Sequence, residues 1–216
     1  MTRLLTHRDA RREHRCATGG FTLIELLVTI IVFSILLGLA VPAFRSLMQN
    51  DQQWVQTNNL ILSLNAARSE AIKNDTTSAA IAGGGGAQIC TSSDGVACTG
   101  TPWNQGWIVL GIDPANPQRG AKRLQVVGAL PAGTTLTEAN NNRSLTFLSN
   151  GTLNTSPTAL VQPPATGACP PARVCFTMCD ARGPAFARYL QVTLMGRAVA
   201  SPTLGQDLNQ MALACP

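Results

Sequence analysis

The chain has 216 residues, 45% of them apolar and only 12% charged. That balance excludes a disordered chain, which is charge-rich and apolar-poor, and allows one good-sized core or two small ones. The formal charge of +5 is unevenly spread: residues 1–20 carry Arg3, Arg8, Arg11, Arg12 and Arg15 against Asp9 and Glu13, and hold both histidines, His7 and His14. Beyond residue 20 there is no histidine and no G-x-S-x-G elbow, so neither the usual general base nor that nucleophile is on offer and no enzyme is expected.

From Phe21 to Val41 a single charge, Glu25, interrupts 21 residues. As a helix such a run is about 30 Å long, the thickness of a bilayer's hydrocarbon. It exceeds the roughly 7–15 apolar residues of a secretory signal, and the arginines before it favour a cytoplasmic N-terminal side. A carboxylate inside a membrane costs about 2.5–3.5 kcal/mol at mid-helix and marks function. Cleavage between Gly20 and Phe21 would create a partner for it, an α-amine four residues before Glu25, in the same chain or in a neighbour's helix.

Gly20-Phe21-Thr22-Leu23-Ile24-Glu25 after a basic leader resembles the class III signal of type IV prepilins and type II secretion pseudopilins. The resemblance implies that a prepilin peptidase cuts after Gly20, that Phe21 becomes N-methylated, and that Glu25 guides docking into a helical filament. It also implies a single pass through the bacterial inner membrane with the C-terminal domain in the periplasm. Pro42 matches the helix-kinking proline of that family, with Gly38 a second weak point.

Helical character continues past Pro42. Apolar pairs recur every seven residues at Leu47/Met48, Trp54/Val55 and Ile61/Leu62, and Leu60, Leu64, Ala67 and Ala71 form a second stripe. One helix over 21–73 fits, its second half amphipathic and suited to packing on a sheet; three pairs with polar residues between them are too few for a coiled coil.

After Lys73 the period changes to that of strands: 78–82, 87–91, 107–112, 123–128, 144–149, 174–178 and 189–194, with turn signals at 83–86, Asn150-Gly151 and Met195-Gly196. The absence of a strand–helix–strand alternation predicts antiparallel sheet, and the proline-rich 155–172 reads as an exposed loop. "LNAARSEAIKN" (64–74), "GWIVLGID" (106–113), "CFTMCDARG" (175–183) and "VTLMGRAVA" (192–200) resemble the GspH/FimT minor pilins and pseudopilins. The resemblance implies the α+β type IV pilin fold, a long N-terminal helix on antiparallel sheet. The expected organisation is a leader (1–20), a membrane or filament-core helix (21–42), an amphipathic helix half (43–74) and a β-rich domain (75–216).

Without residues 1–20, and so without Cys16, six cysteines remain, an even set that reads as disulfides in an exported domain. Cys90 and Cys98 close a short loop with Asp94-Gly95 at its tip and are expected to pair. Cys179–Cys215 would tie down the C-terminus, leaving Cys169–Cys175. No zinc-knuckle spacing occurs, the glycines at 83–86 lack the Lys-Ser/Thr of a phosphate loop, and Asp113 with Asn116 makes a weak calcium case. Neither metal nor cofactor is expected.

Residues 21–118 hold three basic and six acidic groups, and residues 119–216 eight basic and three acidic. The basic distal half raises DNA binding, through Arg182, Arg188 and Arg197, as an alternative. In fimbrial T-type pilins that act as DNA receptors the last hairpin carries Gly-Arg-x-Arg. Gly196-Arg197-Ala198-Val199 lacks the second arginine. The expected function is therefore structural, a subunit that primes or caps a pilus or a secretion pseudopilus, with DNA uptake second.

Overall fold

In the computed structural model, residues 20–73, 86–112, 121–154, 169–170 and 172–215 are described. Helix α1 runs from Leu23 to Lys73, 51 residues without interruption. Thr22 caps it: its Oγ1 accepts the Glu25 N–H at 3.3 Å. Thr22 and Glu25 thus stand in the T-x-x-E spacing of a capping box, with the carboxylate in the first turn at the positive end of the helix dipole. Pro42 lies within the helix; its nitrogen has no hydrogen to give the Gly38 carbonyl one turn back. The chain divides into two compact units, Met1–Met48 and Gln49–Pro216.

In the second unit one stripe of α1 is buried: Gln53, Thr57, Leu60, Leu64, Ala67 and Ala71 are each at most 3% exposed. Its spacing alternates between four and three residues, which keeps one helix face inward. The expected stripe from Leu60 to Ala71 is therefore core. Of the seven-residue pairs, Trp54, Val55 and Leu62 remain 51–61% exposed.

Among the described residues eight strands follow: β1 (Ala87–Thr91), β2 (Trp107–Ile112), β3 (Ala121–Val127), β4 (Thr135–Glu138), β5 (Ser144–Phe147), β6 (Arg173–Cys179), β7 (Arg188–Thr193) and β8 (Ala198–Ala200). They make two four-stranded antiparallel sheets, ordered β3-β2-β1-β5 and β4-β6-β7-β8. Leu153 joins the two: it bridges Phe147 at the end of β5, and its N–H donates to the Leu194 carbonyl at 2.8 Å. One core serves both sheets and the helix, with Ile89, Trp107, Val109 and Phe147 from the first sheet and Val174, Phe176, Leu190 and Val192 from the second. Trp107 Nε1 donates to Ser63 Oγ at 2.9 Å and Trp103 Nε1 to the Asn142 carbonyl at 2.7 Å, so both buried indoles keep a partner.

Strands β1, β2 and β5 to β7 fall on predicted runs, and β3 begins two residues early. β4 was not expected. The predicted strand at 78–82 lies outside the described residues, as do Asp113, Asn116 and most of the proline-rich 155–172. Of the four glycines only Gly86 is described, and it packs against α1. A Cβ there would stand 2.8 Å from the Ala71 carbonyl oxygen and 2.9 Å from its Cα. Among the described residues three disulfides, Cys90–Cys98, Cys169–Cys175 and Cys179–Cys215, join cysteines whose Cα atoms are 5.6, 5.7 and 6.0 Å apart. They are the pairings inferred from loop length and the C-terminal tie, and sulfurs so oxidised are not thiolate ligands.

Candidate functional site: an apolar helix and an arginine cluster

Between Phe21 and Phe44 the large apolar side chains of the first unit are 46–83% exposed. The segment is long and apolar enough to cross a membrane. Two of its hydroxyls are satisfied within the helix: Thr29 Oγ1 donates to the Leu26 carbonyl and Ser34 Oγ to that of Ile31, each at 2.8 Å. A continuous apolar surface with internally bonded hydroxyls is what hydrocarbon or the apolar faces of other helices accept, and water does not. Phe21, 81% exposed, and Gly20, where an added Cβ would meet nothing within 4 Å, sit just ahead of the first helical turn. The cap geometry gives Glu25 a local role that the sequence reading did not include, since a carboxylate at this position also stabilises the helix start.

The three arginines weighed as DNA contacts differ in kind. Asp180 claims Arg182: its Oδ2 accepts from Nε at 2.9 Å and Nη2 at 2.7 Å, and its Oδ1 from the Arg182 backbone N–H at 2.9 Å. Arg182 Nη1 also donates to Asn50 Oδ1 at 2.8 Å, and its guanidinium lies 4.5 Å over the Phe186 ring. Arg188 lies 5.3 Å over the Trp54 ring. Its pKa is lowered by burial and then by the repulsion of Arg182. Arg197 alone of the three is exposed. These side chains do not form a solvated basic face, the arrangement that phosphate-backbone binding requires. Sequence reasoning named Trp54 and both arginines yet missed their association, because nothing local in "CDARGPAFAR" shows which helix residues it meets.

A cleft of about 70 Å³ is lined by Gln49, Gln52, Gln53, Gly133, Thr134 and Asp180, among others. Its one carboxylate is already engaged by Arg182, so it offers no general base. Glu138, 4% exposed, closes the turn after β4: its Oε2 accepts the N–H groups of Asn140 at 3.0 Å and Asn142 at 2.6 Å. Among the described residues, no group of three or more His, Cys, Asp or Glu side chains could hold a metal ion.

Comparison with known families gives two matches. The profile of type II transport protein GspH covers residues 56–193, and that of the prokaryotic N-terminal methylation motif covers residues 15–41. No curated protein matches. Among solved structures, the chain is similar to the type IV minor pilin FimU of Pseudomonas aeruginosa at 20% identity and a TM-score of 0.47, over 72% of this chain and 92% of that one. It is also similar to the minor pseudopilin EpsH of the Vibrio cholerae type II secretion system. One EpsH structure matches at 12% identity and a TM-score of 0.42, over 73% of this chain and 98% of that one.

Proposed function

Since the chain belongs to the GspH family of type II transport proteins, we propose that it is a minor pilin or pseudopilin, a structural subunit with no catalytic task. It is made as a precursor anchored in the inner membrane with its C-terminal unit in the periplasm. A prepilin peptidase removes residues 1–20, Phe21 is N-methylated, and the subunit enters a filament beside other pilins or pseudopilins, where it primes or caps assembly. The observation that carries this reading is the unburied apolar helix that begins beside Gly20-Phe21 and holds Glu25 in its first turn.

Glu25 has two roles to separate, capping its own helix and meeting the α-amine of a neighbour. Glu25→Gln keeps a hydrogen-bonding side chain at the helix start and removes the charge. Glu25→Leu removes both, and eases insertion by deleting a costly intramembrane charge. Both variants should reach the membrane at wild-type levels and drop out of sheared filaments. Recovery of Glu25→Gln at wild-type levels would show that the charge has no docking role.

A further inference from the structure

Asn50 and Trp54 are one helical turn apart on α1, so the two guanidinium groups that reach them lie side by side along the helix. One is neutralised and one is not. Asp180 is engaged by Arg182 through both its oxygens. Asp51, three residues before Trp54, makes no ion pair with Arg188. The Nε of Arg188 is buried with no hydrogen-bond partner among the described residues, and the like charge of Arg182 disfavours its protonated form further. The half-buried guanidinium here lies over an aromatic ring. Trp54 beneath it is 51% exposed, and Phe186 beneath the neighbouring Arg182 38%. Tryptophan and arginine flanked by apolar contact are the side chains that carry most of the energy in protein interfaces.

We infer that Arg188, Trp54 and Phe186 form a docking surface for a carboxylate side chain, flanked by apolar residues, on a neighbouring protein subunit. Charge complementarity selects this occupant. The patch carries one uncompensated positive charge, which one carboxylate satisfies through paired N–H···O bonds while its apolar neighbours cover the two rings. A nucleic-acid strand would need several cations in a row. That the partner is a filament neighbour rests on the function proposed above; the site itself does not.

The test uses the full-length protein in detergent and its own fluorescence. Trp103 and Trp107 are fully buried and Trp54 is half-exposed, so a change on adding a small solute reports Trp54. The probes are acetyl-Leu-Glu-Leu-amide, its glutamine counterpart, and a short thymidine oligonucleotide. The glutamate peptide should give a saturable change with a Kd of about 1 mM, as expected for one ion pair with modest apolar cover. Binding should weaken by about tenfold or more for the glutamine peptide and for Arg188→Gln, and Arg197→Gln should bind as the wild type does. If Arg188→Gln misfolds, the two peptides compared on the wild-type chain decide the matter. Equal response to both peptides overturns the inference, as does unchanged binding by Arg188→Gln, tighter binding of the oligonucleotide, or no saturable change up to about 10 mM peptide. A chain that binds the glutamate peptide yet lacks methylated Phe21 keeps this site and loses the filament reading.

Discussion

Gly86→Ala adds one methyl group at the point where the strand leading into β1 touches α1. The new Cβ would lie 2.8, 2.9 and 3.2 Å from the carbonyl oxygen, Cα and carbonyl carbon of Ala71, all backbone atoms. No rotamer change relieves a backbone contact, so either the last turn of α1 or the strand must move. The strand is held by the Gly86 N–H donating to the Phe147 carbonyl at 2.8 Å, and the helix by Leu64, Ala67 and Ala71, each fully buried. Overpacking of this kind costs about 1–3 kcal/mol. For a unit of this size that lowers Tm by about 2–4 °C per kcal/mol, readable by circular dichroism on the protein in detergent. The obvious rescue should fail. Ala71→Gly removes a side chain that is not the obstacle and adds about 1 kcal/mol of lost helix propensity, so the double variant should be less stable than either single one. A Gly86→Ala protein that melts with the wild type, or one rescued by Ala71→Gly, would refute the contact and the helix placement it implies.

Two titrations probe the rest of the β-rich unit. Burial raises the Glu138 carboxyl above its ordinary value of 4.5, against the pull of the Asn142 and Asn140 N–H groups. Its protonated form is favoured by the fold, so that contribution is complete below the ordinary value and is lost as pH rises through the raised one. Glu138→Gln should flatten this segment of the stability–pH curve; an unchanged slope would place the dependence elsewhere. The chain has one tyrosine, and burial, followed by the charge of Asp207, pushes the Tyr189 phenol up to about 12, with Arg173 opposing. Absorbance titration of the folded protein should therefore find its midpoint near that value, and a midpoint at the ordinary 10.0 would mean that Tyr189 is solvated.

The parts of the fold that were legible in the sequence are those with a strong local period. α1 could be bounded because an unbroken apolar run passes into a stripe at helical spacing, and Leu60, Leu64, Ala67 and Ala71 named the inward face. The outer pairs misled by half: Trp54, Val55 and Leu62 are as apolar as core residues yet half-exposed, while Gln53, Thr57 and Ser63 are buried. Composition cannot say which apolar stripe is covered by the chain's own sheet and which is left bare. β4 escaped notice because Thr-Leu-Thr-Glu has one apolar residue, Leu136, and its inward Glu138 is held by a turn that forms only in the fold. The division into two sheets joined at Leu153 depends on pairings distant in sequence, which no local pattern encodes. The Arg182–Asp180–Asn50 link is of the same kind, spanning 132 residues from helix to loop.

The most direct test of the account is the N-terminus of the membrane-bound protein. Mass spectrometry of protein recovered from the membrane or from sheared filaments should find N-methylated Phe21 as the first residue and nothing of residues 1–20. A mature chain beginning near Ala43 or Phe44 would mean that the apolar helix is a discarded signal, and would contradict the reading of this protein as a filament subunit.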